Sequence, residues 1–186
     1  MSYRFAVIIL VCLTISSCGF FSRTKSEFYT LETLPPDQQV AAAGEAPVGI
    51  EAIELPPGLD RRGIVVRESR HQLQIRETHQ WTETLETMVL HTLAHDLAER
   101  LPAGMMVLPG QPKPAGPMRS ITVVFDDLTP GPEPLFRLDA RWGSVGGSIS
   151  HERIEVPMSS LESDEVATAM SAAIATLADR IVAAIE

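Results

Sequence analysis

The chain is poor in the residues that would staple or metallate it. Its 186 residues hold two cysteines, Cys12 and Cys18. Cys12 lies in an apolar run that reads as a leader, so Cys18 is left without a partner. A disulfide framework is therefore excluded, and so is a zinc site of the cysteine-cluster kind. The Walker A lysine and the Gly-x-Gly-x-x-Gly spacing of dinucleotide folds are also missing from the sequence. Positive charge is scarce: 15 Lys and Arg face 24 Asp and Glu, a net charge of −9. That deficit argues against nucleic acid as a partner, and against net charge as the means of holding a membrane. The N-terminal apolar run, Phe5 to Ile15, falls short of the roughly 18 residues that a membrane-spanning helix needs.

What is present at the N-terminus is ordered. A short segment with Arg4 is followed by the apolar run, then by Ser16, Ser17 and Cys18. This is the order of regions in a secretory signal peptide. The stretch Ile15-Ser16-Ser17-Cys18 resembles the bacterial lipobox: a branched aliphatic residue, two small residues and cysteine. The resemblance implies a thioether lipid on Cys18 and cleavage before it, leaving an acylated N-terminus. Two or more acyl chains make such an anchor stable. Gly19, rather than Asp, follows the cysteine and points to the outer membrane, on its periplasmic face. The expected organisation is a signal peptide over 1–17, a lipidated N-terminus and tether over 18–26, and one domain over 27–186.

Along that domain the apolar period changes. Glu27 to Leu31 and Val48 to Leu55 read as strands, separated by a Pro- and Ala-rich loop over 35–47, and Pro56-Pro57-Gly58 ends the second. Ile64 to Val66 and Leu73 to Ile75 read as two arms of a hairpin. Trp81, Leu85, Met88, Val89, Leu93, Leu97 and Leu101 recur at helical spacing, with Thr82 as the expected N-cap and Pro102 beyond the end. Met105 to Leu108 and Ile121 to Phe125 read as strands. Leu135 to Trp142 alternates and pairs with Ile149 to Val156 across a Gly-rich turn. Ser163 to Ile185 is a second amphipathic helix, with Val166, Met170, Ala173, Ile174, Leu177, Ile181 and Ile185 as its stripe. The expected fold is single-domain α/β, with a mixed or antiparallel sheet covered by two long amphipathic helices.

Candidate chemistry is sparse. His91 and His95 have zinc-ligand spacing on a helix, but Thr92 stands where a zincin needs Glu, and both histidines point away from the apolar stripe. Asp126-Asp127 is adjacent on a strand, so the two side chains face opposite ways and read as a turn at a strand end. Ser144 and Ser148 lack the strand-to-helix setting of a nucleophile elbow. Arg61, Arg62, Arg67 and Arg70 form a local basic patch, either a solvated hairpin face or a contact site for a partner or phospholipid headgroups. The expectation is no enzyme, no cofactor and no metal.

One ordered set of motifs carries a resemblance. Glu54-Leu55-Pro56-Pro57-Gly58-Leu59-Asp60-Arg61-Arg62-Gly63-Ile64-Val65-Val66-Arg67 is followed by Trp81-Thr82-Glu83-Thr84-Leu85 and by Leu93 to Pro102. With Phe28 to Leu31 ahead and Trp142 behind, the series resembles the ABC-type transport auxiliary lipoproteins, PqiC-like and also called membrane integrity-associated transporter lipoproteins. The resemblance implies an accessory part in lipid transport between two membranes. It implies an MCE-domain protein and an ABC permease and ATPase as partners, with the membrane reached through the N-terminal lipid. A homo-oligomer that rings the end of a tubular partner is compatible with it. Cys18 would anchor, and Pro56, Leu59, Asp60 and Arg61 would shape a turn or dock a partner, with Asp60 and Arg61 paired to each other. The alternative is a structural lipoprotein of another envelope assembly, in secretion or envelope biogenesis.

Overall fold

The computed structural model describes residues 25–36, 46–144 and 146–185. Cys18, the signal peptide, most of the tether and most of the loop over 35–47 lie outside the described residues. The elements run β1 (Glu27–Tyr29), β2 (Val48–Glu54), β3 (Gly63–Ser69), β4 (Gln72–Trp81), α1 (Leu85–Arg100), β5 (Met106–Val107), β6 (Arg119–Pro130), β7 (Leu135–Ser144), β8 (Ile149–Pro157) and α2 (Ser163–Ile185).

The strands divide into two sheets, of order β1-β4-β3 and β5-β2-β6-β7-β8. One sheet under two helices was the sequence expectation; the class is right and the sheet count is corrected. Periodicity tells a strand which face to bury, not which neighbour to pair with. Both sheets are mixed. In the larger one, β2 runs parallel to β5 and β6, while β6, β7 and β8 are antiparallel. In the smaller, β1 is parallel to β4 and β3 is antiparallel to it.

The hairpins and the last helix match the sequence reading. On β7, Phe136, Leu138, Ala140 and Trp142 are buried, and Arg137 and Arg141 face out. In α2, Val166, Met170, Ala173, Ile174, Leu177 and Ile181 are buried. This helix is long and apolar enough to cross a membrane by composition. Here its stripe packs instead against α1, β7 and β8. Alanines along it let α1 approach closely, and each fully buried Leu or Ile contributes about 1.5–3 kcal/mol.

Helix α1 begins later than its apolar spacing predicts. Thr84, not Thr82, is the N-cap, and its hydroxyl accepts from the Thr87 N–H at 3.4 Å. The backbone before it is already committed to strand pairing. Trp81 N–H donates to Arg62 O at 2.7 Å and Thr82 N–H to Tyr29 O at 3.0 Å. Trp81 thus ends β4, 1% exposed, and contributes to the core as the sequence reading expected.

Residues 31–36 cross the helix pair as a strap. Glu32 N–H donates to Ser171 Oγ on α2 at 3.1 Å, and Leu34 N–H to Asp96 Oδ1 on α1 at 2.8 Å. Arg100 closes it from below, donating to Leu34 O at 3.0 Å and to Asp179 of α2 at 2.5 Å. Asp96 is wholly buried, with Oδ2 unpaired. Burial pushes its carboxyl up to about 6, against the pull of the Leu34 N–H and Arg100.

Candidate functional site

The turn between β2 and β3 is built to hold one shape. Leu59 N–H donates to Pro56 O at 3.1 Å, which closes a four-residue turn with Pro57 second and Gly58 third. Gly58 has φ 91°, the left-handed backbone that a type II turn demands at that place and that glycine adopts without cost. Leu59 turns inward and is 5% exposed. Pro57, Gly58, Asp60, Arg61 and Arg62 are exposed in a row.

Asp60 and Arg61 do not pair with each other, which corrects the expectation. Each is taken by a backbone group. Arg61 Nε donates to Gly58 O at 2.6 Å and braces the turn from outside. Asp60 Oδ1 accepts the Glu86 N–H at 3.2 Å, so its carboxylate stands at the positive start of α1. The four site residues are therefore together in one turn, with Leu59 as its apolar root and Asp60 as its tie to α1. Cys18 lies outside the described residues.

The basic patch is split. Arg67 is held by Asp127, at 3.3 Å, and reaches Thr129. Arg61, Arg62 and Arg70 remain exposed. Asp126-Asp127 is not a turn at a strand end. Both residues lie within β6 at a register shift between Phe125 and Asp127, and this irregularity lets both face outward. His91 and His95 are exposed on α1, as their spacing against the stripe predicted.

Sequence reasoning missed a ladder of charges on the outer face of the larger sheet. Asp126 takes a two-pronged bond from Arg141, at 2.8 Å to each oxygen. Asp139 accepts from Arg153 at 2.8 Å and also meets His151 Nε2. Arg141 holds the Asp126 carboxyl below the usual carboxylate range. Partial burial raises Asp139, but the bonds from Arg153 and His151 outweigh it and leave it low. The signal was present in the hairpin: Arg137 faces Glu155, Asp139 faces Arg153, and Arg141 faces His151. Asp126, Asp139 and His151 offer ligand atoms within 4.8 Å of one another, but both carboxylates already answer to arginines.

A second network fixes β1 to the start of α2. The Tyr29 ring stacks on His79 at 5.8 Å, and its hydroxyl lies 3.1 Å from His79 Nδ1. Ser163 Oγ reaches the same nitrogen at 3.0 Å and accepts from Arg76 at 2.9 Å. Ser163 is 1% exposed and His79 half-buried, so this pair clamps β1 and β4 to the start of α2.

The family of the ABC-type transport auxiliary lipoprotein component matches residues 29–182, and the chain belongs to it. No curated protein matches the chain. Among solved structures, a crystal structure of an uncharacterised protein superposes with TM-score 0.73 at 18% identity, covering 87% of this chain and 99% of its own. A DUF330-family protein from Xanthomonas campestris superposes with TM-score 0.61 at 14% identity, covering 84% of this chain and 93% of its own. At such identities the likeness is one of fold.

Proposed function

We propose that the protein is an outer-membrane lipoprotein on the periplasmic face that serves an MCE- and ABC-type system moving lipid between membranes, as a docking module and not as a catalyst. The family match over residues 29–182 carries the reading, because its members are auxiliary lipoproteins of ABC-type transport. In this reading Cys18 bears the acyl chains, and the tether sets the reach of the domain. The Pro56 to Arg62 turn meets the partner. Its fit to that task is physical. A turn locked by Gly58, Arg61 and Asp60 loses little conformational entropy on binding, so its contacts are not spent on ordering it.

The test is gentle detergent extraction of the full-length tagged protein, with co-purifying proteins and lipids identified by mass spectrometry. An MCE-domain protein or ABC permease in the eluate supports the reading. Secretion or envelope-biogenesis proteins in their place contradict it and turn the assignment to the other envelope assembly.

A further inference from the structure

Among the described residues, no helix covers the outer face of the smaller sheet. Tyr29 is pinned to the body through His79, so strand alternation turns Phe28 the other way, 60% exposed. Leu73 and Ile75 join it on β4. In the β3–β4 ladder they stand opposite Arg67 and Val65, while Ile64, Val66 and Arg76 take the other side, where Arg76 bonds Ser163 of α2. Leu73 is 43% and Ile75 41% exposed. Gly63 gives Ile75 its seat, since a Cβ there would stand 2.8 Å from Ile75 Cγ2.

At the β3–β4 end of this face Arg70 is exposed, while Arg67 is held by Asp127 and Arg76 by Ser163 on the other side. The face also lies where the N-terminal chain enters. β1 is a strand of this sheet, and the ten residues from Cys18 to Phe28 (28 − 18) reach at most about 36 Å when extended. A tether that short makes the second contact intramolecular, so even a weak surface attraction is populated.

We infer that this face seats on the bilayer that holds the Cys18 anchor. Phe28, Leu73 and Ile75 enter the headgroup boundary, and the exposed Arg70 between β3 and β4 meets lipid phosphates. The acidic remainder of the domain is turned to the periplasm and to the transport partner. This rests on the lipid-anchor reading above and adds an orientation to it.

The experiment uses full-length protein whose N-terminal peptide is shown by mass to carry lipid. It is placed in vesicles of phosphatidylethanolamine and phosphatidylglycerol. A fluorophore is attached through Ile75→Cys or, as a control on exposed α1, through His91→Cys. Brominated lipid is expected to quench the label at position 75 several-fold more than the label at 91, and iodide in the water to quench it several-fold less. Equal access of iodide to both labels overturns the inference. So does shielding at 75 that brominated lipid does not quench and that grows with protein concentration, the mark of a second copy or partner covering the face. Loss of the lipid mass from the N-terminal peptide overturns the anchor reading first, and this inference with it.

Discussion

Asp60 Oδ1 accepts the backbone N–H of Glu86, 26 positions later, at 3.2 Å. One exposed carboxylate thereby couples the β2–β3 turn to the first turn of α1. The turn cannot shift without freeing the Glu86 N–H in the first turn of α1, and this coupling holds it in place on the surface.

Removing that tie has a measurable cost. Asp60→Ala is expected to lower stability by about 1 kcal/mol, the usual loss for a helix-start acceptor at an exposed site. Asp60→Asn keeps an acceptor and is expected to lose less. Urea denaturation of the three proteins checks the order, and an Ala variant as stable as the parent would show that Thr84 caps α1 alone.

Leu93 is fully buried in the α1 stripe. Leu93→Asp places a charge where nothing can pair with it, and a loss of several kcal/mol is expected. Circular dichroism on heating would show an unfolded or strongly destabilised domain.

Asp96 sets a pH dependence of definite sign. Its carboxyl is raised by burial from 3.8 to about 6, so between those values the folded state keeps a proton that the unfolded state releases. Its contribution is therefore most favourable at low pH. It falls as pH rises through that window and stays reduced above about 6. The full swing is about 3 kcal/mol. Asp126 and Asp139, held low, act in the opposite sense at more acidic pH. The comparison that isolates Asp96 is with Asp96→Asn: the difference in unfolding temperature between the two proteins should change between pH 4.5 and 7, the parent losing ground as pH rises. A constant difference would contradict the buried-carboxylate account.

Cys18→Ala is expected to leave an uncleaved or unlipidated protein that no longer partitions with the outer membrane. Fractionation and intact mass decide it, and normal outer-membrane partition of the variant would remove the anchor from the account.

The legible parts of the fold are those whose period is clean. Phe136, Leu138, Ala140 and Trp142 announce β7, and the stripe from Val166 to Ile181 announces α2. What periodicity cannot carry is partnership. The split into two sheets depends on β1 choosing β4 while β2 chooses β5 and β6. The start of α1 was misplaced because Trp81 fits the helical spacing and yet its N–H is held by Arg62 O. Asp126 and Asp127 were misread because a bulge, invisible in the alternation, turns both outward. Asp60 and Arg61 looked like natural partners as neighbours, but Glu86 and Gly58 hold them instead. The Asp96–Arg100 pair left a trace in its four-residue helical spacing, though nothing local told that the strap at Leu34 would bury it.

The measurement that bears most directly on the central claim is crosslinking in living cells. A photoreactive amino acid is placed at the exposed Arg62 position, beside the braced turn, and at His91 on α1 as control. The account predicts a crosslink from position 62, and not from 91, to an MCE-domain or other subunit of the transport system. A crosslink from 62 only to proteins of another envelope assembly, or no preference between the two positions, would contradict it.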